Sequence, residues 1–246
     1  MVAWAELAGA AERWLLPGEC SVCRAPSAGR HDRLVCDVCR ARWRPIAPPF
    51  CAVCGEPAPL ALECRVCAEW PPDFGPVRSA VRLDPVVRRL VHRFKYLGWW
   101  RLAECFAPPM AALIRETGDA DLVPIPLARR RRRARGYNQA EQLAIALGGI
   151  TGLPVVASRL RRCRDTPTQT RLAPESRRAN LAEAFAATDS RRPAILVDDV
   201  FTTGATLCSA AAELLDRGAV QVAAVTFARA ELPLAGLIDS PLSRTR

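Results

Sequence analysis

Residues 194–207 read AILVDDVFTTGATL, and this stretch predicts the centre of the fold. Its first four residues are apolar, as in a strand that is buried on both faces. Two carboxylates, Asp198 and Asp199, come next, and a turn of threonines and glycine follows them. From Gly204 onwards, apolar and small residues recur at helical spacing until Gly218 ends the helix. A strand, a tight turn and a helix in this order indicate a parallel α/β sheet.

The turn at 202–206, TTGAT, is suited to holding an anion, and we call it the anion turn. Backbone N–H groups and hydroxyls converge there at the N-terminus of a helix, where the helix dipole favours negative charge. The carboxylates of Asp198 and Asp199 suit ribose hydroxyls, or a metal ion shared with a phosphate. Carboxylates are costly to place at a buried strand end without a partner. The motif therefore predicts a pocket for a ribose 5-phosphate group.

The rest of the chain beyond residue 77 alternates between strand and helix patterns. Further strands are predicted at 77–83, 122–126, 154–157 and 220–227. Helices are predicted at 85–98, 100–117, 138–148 and 174–185. This alternation predicts an α/β fold with a mostly parallel sheet of about four or five strands flanked by helices.

The segment 127–139, LARRRRRARGYNQ, carries too many charges for a strand or a buried helix, so we expect a solvated loop. It follows a predicted core strand, and open α/β sheets bind ligands at the loops after such strands. Arg135 and Gly136 would present a guanidinium and an unobstructed N–H to a pyrophosphate. Two other interpretations stay open: a merely solvated basic run, and a tract that binds RNA or DNA. The arginines of that tract are Arg130, Arg131, Arg132 and Arg133.

Positive charge is concentrated in one part of the chain. The formal net charge is +10, and residues 124–193 carry 15 arginines against five acidic residues. Such a segment indicates a polyanionic partner, either a ligand that bears a pyrophosphate or a nucleic acid. Lys95 is the single lysine of the chain, and the other 34 basic residues are arginines. We attribute this general preference for arginine to codon bias rather than to function.

Eight of the 11 cysteines precede residue 70 and form four C-x-x-C pairs. Two such pairs complete the tetrahedral Cys₄ shell of a structural zinc ion, which suits a cytosolic chain better than disulfides do. Sequential pairing would group them as Cys20, Cys23, Cys36 and Cys39, then Cys51, Cys54, Cys64 and Cys67. Crossed pairing is left open by the spacing. We therefore expect a double zinc ribbon at 18–70, in which two zinc ions supply most of the folding free energy.

The ends of the chain complete the predicted organisation. Residues 1–17 are expected to form an N-terminal helix or extension, 77–231 the α/β domain, and 232–246 a flexible tail. The start of the chain lacks the basic and apolar regions of a signal peptide. No apolar run reaches the roughly 20 residues that span a bilayer. The prediction is a cytoplasmic protein without membrane insertion.

Several segments together resemble the ComF family, a group of competence-associated bacterial proteins similar to type I phosphoribosyltransferases. The first is the N-terminal array of C-x-x-C pairs. The others are VPIPLARRRRRARGYNQAEQLA at 123–144, TPTQTRLAPESRRANLAEAF at 166–185 and VDDVFTTGAT at 197–206. HRFKYLG at 92–98 is similar to a short lysine-bearing block of the family. The resemblance covers about 18–235, nearly the whole chain.

The resemblance implies a type I phosphoribosyltransferase fold that binds phosphoribosyl pyrophosphate (PRPP) together with Mg²⁺. By resemblance, Asp198 and Asp199 would hold the ribose hydroxyls, and Arg135 and Gly136 would lie in the pyrophosphate loop. The 5-phosphate would be bound by Thr202, Thr203, Gly204, Ala205 and Thr206. A flexible loop that closes over PRPP would contain Thr168, Gln169, Arg177 and Asn180.

Two functions follow from these patterns and from the resemblance. As an enzyme, the protein would transfer the ribosyl C1 of PRPP to a nitrogen nucleophile, with Asp198, Asp199 and Arg135 as catalytic residues. As a binding module, it would sense PRPP or a nucleotide and would engage single-stranded DNA or protein partners during DNA uptake. The zinc ribbons would dock either nucleic acid or protein. Residues 77–120 contain no group that marks the acceptor.

Overall fold

The computed structural model of the protein describes residues 19–25, 34–57, 64–114, 119–163 and 184–230. Three predicted segments lie outside these ranges, namely the extension at 1–17, most of the helix at 174–185 and the tail at 232–246. The four residues predicted for the flexible loop also lie outside the described ranges. They are Thr168, Gln169, Arg177 and Asn180.

A four-stranded parallel sheet forms the centre of the α/β domain. Its strands are β1 (Phe74–Arg82), β2 (Asp121–Pro124), β5 (Ala194–Phe201) and β6 (Val222–Arg229). They are ordered β1-β6-β5-β2, and every neighbouring pair is parallel. The prediction of a mostly parallel sheet of about four or five strands is therefore confirmed, with four strands. The motif strand lies in the interior of the sheet, between β6 and β2.

The strand predicted at 154–157 is nearly absent. Val155 forms one isolated parallel bridge with Leu122, and the chain then enters a short 3₁₀ turn, Ala157–Arg159. In its place, two short strands pair antiparallel beside the central sheet, β3 (Leu160–Arg162) and β4 (Phe185–Ala187). Since three to four apolar residues are compatible with several kinds of local structure, periodicity did not distinguish this edge from a full strand.

Six helices flank the sheet in the part of the chain that the structure describes. They are α1 (Asp37–Ala41), α2 (Pro85–Tyr96), α3 (Leu102–Ala111), α4 (Arg129–Arg135), α5 (Gln139–Thr151) and α6 (Ala205–Asp216). Asp84 caps α2 by accepting hydrogen bonds from two backbone N–H groups, and Pro85 occupies its first turn. Asn138 caps α5 by accepting a hydrogen bond from the backbone N–H of Ala140. Every one of these helices is too short or too polar to cross a lipid bilayer.

Alternate residues of β5 face two apolar clusters on opposite sides of the sheet. Ile195 and Val197 pack with α2, α3 and α5 on one side, where Phe106 and Phe227 stack with ring centroids 3.8 Å apart. Leu196 packs with α6 on the other side. Burial on both faces explains why the motif strand begins with an uninterrupted apolar run.

The basic segment after β2 is not the loop that its charge density predicts. Residues 129–135 form α4, a short helix in which no residue is buried. Arginine is a good helix former, and residues 129–134 are exposed to solvent, which screens the repulsion between their charges and allows the helix to form. Gly136 ends α4 in a left-handed conformation with φ of 81°.

Candidate functional site

The motif strand places its two carboxylates in a cavity at the carboxyl ends of the central strands. The strand predicted at 194–198 continues to Phe201 as β5, so Asp198 and Asp199 both lie within it. The Asp199 side chain is 5% exposed, and its backbone N–H donates to Asp198 Oδ1 at 2.8 Å. Burial and the neighbouring charge of Asp199 raise the pKa of Asp198 to about 7. The pair is therefore held close together in surroundings that disfavour two negative charges.

Lys95 supplies the positive charge that faces this pair. It lies in the last turn of α2, and its Nζ is 2.8 Å from Asp199 Oδ1. Burial disfavours the ammonium, but the attraction of Asp199 outweighs it and raises the pKa of Lys95. Lys95 is therefore positively charged throughout the neutral pH range and forms a largely buried ion pair with Asp199.

The cavity beside these residues has a volume of about 470 Å³. Besides the two carboxylates, its described lining contains five cationic side chains. These are Arg88, Lys95, Arg131, Arg135 and Arg162. The lining is therefore cationic overall, and it has the size and charge of a site for a small polyanion.

Arg135 is held in place by α2 and α5. Its guanidinium lies 4.6 Å from the centre of the Tyr96 ring and donates to the Tyr96 hydroxyl at 3.1 Å. A second N–H donates to Gln139 Oε1 at 2.9 Å. Gln139 in turn donates to the backbone carbonyl of Lys95 at 3.4 Å. These contacts connect the start of α5 to the end of α2 and position Arg135 at the cavity.

The anion turn is packed tightly against an aromatic side chain from the cysteine-rich region. Gly204 has a φ of 77°, and a Cβ atom at this position would lie 2.6 Å from Trp70 Cζ2 and 2.9 Å from Phe201 Cζ. Only glycine combines this backbone conformation with such a close approach. Trp70 and Phe201 therefore form the wall behind the turn, and they determine how close it lies to the sheet.

The cysteines form two clusters in the sequential pairing. The first contains Cys20, Cys23, Cys36 and Cys39, and the second contains Cys51, Cys54, Cys64 and Cys67. The four sulfur atoms of each cluster lie within 4.8 Å of one another. Representative Sγ–Sγ distances are 3.7 Å in the first cluster and 3.5 Å in the second. They agree with the edge of about 3.8 Å expected for a tetrahedron with Zn–S bonds of about 2.3 Å.

Backbone N–H groups donate hydrogen bonds to cysteine sulfur atoms in both clusters and so stabilise the thiolate form. The N–H groups of Val22 and Cys36 donate to Cys20 Sγ at 3.4 and 3.3 Å. Burial opposes ionisation of Cys20, but backbone N–H groups outweigh it and lower the pKa of the thiol to about 6. The same balance lowers the pKa of Cys51 to about 7. Burial and hydrogen bonds with neighbouring thiols raise the pKa of Cys39 and of Cys67 to about 12. Cys20 and Cys51 therefore ionise more readily than these members of their clusters, and the arrangement of the four sulfur atoms in each cluster fits a structural zinc ion.

The two clusters are attached to opposite faces of the central sheet. Trp43, which follows α1 and the first cluster, packs edge-on against Phe227 with ring centroids 5.1 Å apart. The second cluster is joined to β1, where the N–H of Val77 donates to the carbonyl of Val53 at 2.7 Å. It is also joined to β6, where Arg229 donates to the carbonyl of Cys54 at 2.8 Å. The first ribbon therefore packs with the apolar cluster on one face of the sheet, and the second ribbon packs with the cluster on the other face.

Comparisons with known proteins identify the family. The double zinc ribbon domain family matches residues 11–68. The DNA utilization protein YhgH of Salmonella typhimurium is 32% identical over 217 residues, which cover 84% of this chain and 95% of that protein. Competence protein ComFC of Bacillus subtilis is 29% identical over 211 residues, which cover 80% of this chain and 85% of that protein. The chain belongs to the ComF family.

A third relative supports the same placement. Competence protein F of Haemophilus influenzae is 29% identical over 195 residues, which cover 74% of this chain and 85% of that protein. Membership of the ComF family is consistent with a role in DNA uptake. The resemblance inferred from the sequence motifs is confirmed.

Five of the residues predicted for the ComF-type site line the cavity. They are Arg135, Asp198, Asp199, Thr202 and Thr206. Gly204 and Ala205 line an adjoining recess of about 30 Å³, together with Thr202, Thr206 and Asp198. Thr203 lines a separate groove between Trp70 and α6 instead. Gly136 ends α4 at the surface.

The four arginines at 130–133 do not all face the cavity. Arg131 lines the cavity, whereas Arg130, Arg132 and Arg133 are exposed on α4, with Arg132 3.8 Å from Glu141. Sequence reasoning gave no role to several other residues that the cavity gathers. These are Arg88, Lys95, Gln139 and Arg162. Only one of them had a signal in the sequence, since Lys95 is the single lysine.

Proposed function

We propose that this ComF-family protein binds PRPP, or a nucleotide with a ribose 5-phosphate, and that it acts in the cytoplasm in DNA uptake or DNA utilisation. The observation that carries the proposal is the 470 Å³ cavity, in which the anion turn, two carboxylates and several arginines converge. PRPP has one chemical feature for each of these groups: a 5-phosphate, two ribose hydroxyls and a pyrophosphate.

Each part of the site has a proposed role. The 5-phosphate binds at the anion turn, at the N-terminus of α6. Asp198 and Asp199 accept hydrogen bonds from the ribose hydroxyls, and their carboxylate oxygens are also ligands that Mg²⁺ prefers. Arg135, which Tyr96 and Gln139 hold at the cavity, binds the pyrophosphate. When bound, Mg²⁺ would neutralise part of the charge on the pyrophosphate.

The reaction that this arrangement supports is transfer of the ribosyl group. The bond between C1 and the pyrophosphate oxygen breaks, a bond from C1 to a nitrogen of the acceptor forms, and the acceptor proton passes to solvent. The protein contributes positioning and charge stabilisation, with Arg135 on the leaving group and the carboxylates on the ribose.

Calorimetry with PRPP and Mg²⁺ tests the binding, and an assay for released pyrophosphate with a panel of nucleobases and amines tests the reaction. Arg135→Ala is expected to weaken PRPP binding by about tenfold or more, because a bidentate charged contact is lost. Arg130→Ala is the matched control, since this exposed arginine lies outside the cavity lining, and it should bind as the wild type does. Absence of PRPP binding at millimolar concentration would refute the proposed function.

A second candidate function is supported by the surface of α4. Arg130, Arg132 and Arg133 are exposed, and the exposed aromatic rings of Tyr96 and Trp100 lie at and near the end of α2. Arg135, at the end of α4, lies over the Tyr96 ring. A surface that carries both arginines and aromatic rings suits single-stranded nucleic acid, since arginines bind phosphates and rings stack on bases. We propose that this surface binds single-stranded DNA, with or without turnover in the cavity.

Binding to labelled oligonucleotides at several salt concentrations tests the second candidate. Replacing Arg130, Arg132 and Arg133 by Ala should reduce the slope of log affinity against log salt by about two, because three phosphate contacts are lost. PRPP binding should be unchanged. An unchanged salt slope would exclude α4 as the DNA site and would favour a protein partner for this surface.

A further inference from the structure

Lys95, the single lysine of the chain, contacts the buried carboxylate of Asp199. The chain contains 34 arginines and one lysine, and every other cation that lines the described part of the cavity is an arginine. A codon bias explains arginines at most basic positions. It does not account for a lysine at the position that forms an ion pair with Asp199. Position 95 therefore indicates a requirement that a guanidinium does not meet.

An ammonium and a guanidinium differ in shape at such a site. Lysine ends in a compact charge with three donors, whereas arginine ends in a planar fork that is suited to bidentate contacts. Lys95 Nζ lies 2.8 Å from Asp199 Oδ1, in a space where both side chains are largely buried. Arg135, held by Tyr96 and Gln139, occupies the neighbouring part of the cavity. The ammonium fits between these groups and still has donors that can turn towards a ligand.

The charge balance of the carboxylate pair points to the role of this ammonium. The cavity lining is cationic overall, but the part of an anionic ligand that lies beside Asp198 and Asp199 is repelled by these two adjacent carboxylates. A divalent cation would remove this repulsion, but the ion pair between Lys95 and Asp199 already removes part of it. Lys95 thus occupies one of the two carboxylates that a divalent cation would use.

We propose that Lys95 is a built-in cation of the PRPP site, which takes over part of the task of Mg²⁺ at Asp199 and lets the diphosphate ligand bind without the metal ion. This inference rests on the proposed function, since it assigns a role within the same cavity. The ammonium keeps its contact with Asp199 and donates to the diphosphate of the ligand. Mg²⁺ then adds to binding but is not required for it.

Calorimetric titration of the full chain with PRPP, in Mg²⁺ and in EDTA, tests the inference. The wild type should lose at most about tenfold in affinity when Mg²⁺ is replaced by EDTA. Lys95→Met should lose at least a hundredfold on the same change, because Asp199 then lacks the cation that contacts it. Lys95→Arg should also be more dependent on Mg²⁺ than the wild type. A purely structural role of Lys95 would lower both affinities and leave their ratio unchanged, which would overturn the inference.

A double variant keeps the test valid if Lys95→Met is unstable. Lys95→Met with Asp199→Asn removes one positive and one negative charge, so the site regains the net charge of the wild type. Loss of the ribose contact of Asp199 should lower the affinity of the double variant equally in Mg²⁺ and in EDTA, so the ratio of the two affinities is compared. This ratio should be at least tenfold smaller in the double variant than in Lys95→Met alone, and equal ratios would contradict the inference. A wild type that binds PRPP only with Mg²⁺ would refute the role of Lys95 and leave the proposed function intact. A wild type that binds PRPP under neither condition would refute both.

Discussion

Trp70 lies directly behind Gly204, with its indole ring only 2.6 Å from the point where a Cβ atom of residue 204 would be. Trp70 follows the second cysteine cluster, and its backbone N–H donates to the carbonyl of Cys67 at 3.1 Å. The anion turn is thus supported by a side chain whose position depends on the cysteine-rich region. We expect zinc binding at the second cluster and anion binding at this turn to be coupled through this contact.

Gly204→Ala should displace the anion turn. The added methyl group would clash with Trp70 and Phe201, and the positive φ would be strained, so we expect a loss of about 1–3 kcal/mol in the free energy of unfolding. PRPP binding should weaken by about tenfold or more. Gly149→Ala is the matched control, because Gly149 is an exposed glycine within α5 with open space around it. It should stabilise the protein by about 0.5–1 kcal/mol and leave binding unchanged.

Loss of the second zinc site should weaken ligand binding more than loss of the first. Cys64→Ser and Cys36→Ser each remove one half-buried ligand, and metal analysis should show a reduced zinc content in both variants. Both should lower the melting temperature. Only Cys64→Ser should also reduce PRPP affinity, because only the second cluster is followed by Trp70. Equal effects of the two variants on affinity would contradict the coupling.

Asp198→Asn should stabilise the ligand-free protein at alkaline pH. Burial raises the pKa of Asp198 from 3.8 to about 7, so the folded state binds this proton more tightly than the unfolded state does. The associated stability is complete below about pH 4 and is lost as the pH rises through 7. The variant should therefore exceed the wild type by roughly 1–3 kcal/mol in free energy of unfolding at pH 8, and by less at pH 5.

Urea denaturation at the two pH values measures this difference. Asp189→Asn is a suitable control, since the side chain of Asp189 is exposed and should show no such dependence on pH. A destabilised Asp198→Asn variant at pH 8 would show that the carboxylate is stabilising in the empty site.

Tyr96 should affect the ligand through Arg135. Tyr96→Phe keeps the ring under the guanidinium but removes a hydrogen bond, and we expect a loss of about two- to threefold in PRPP affinity. Tyr96→Ala removes both contacts and should cost about tenfold. In an Arg135→Ala background neither change should matter. A persistent effect in that background would mean that Tyr96 contacts the ligand itself.

Local sequence patterns predicted the motif strand and its helix correctly, but they failed for two peripheral segments of the domain. The strand, turn and helix around the motif were predicted within a few residues, because an apolar run and a helical period specify local geometry. The strand at 154–157 and the loop at 127–139 were predicted wrongly. In both segments, the surroundings decide between structures of similar local preference: pairing with β2 in the first, and access to solvent in the second.

The site shows the same division. Asp198, Asp199 and the anion turn are neighbours in sequence, and so are the members of each C-x-x-C pair, so their chemistry was evident before their positions were known. Lys95 and Trp70 are more than 100 residues away in sequence from their partners Asp199 and Gly204. Local sequence patterns do not predict contacts over such a distance along the chain.

The sequence by itself determined the family, the α/β alternation, the eight metal-binding cysteines and the residues of the anion turn, because short spacings impose local geometry. Only the tertiary structure decided that α2 brings a lysine to the carboxylate pair and that the second ribbon supports the turn from behind. Those contacts arise when the helices and the ribbon bury their apolar surfaces against the two faces of one sheet.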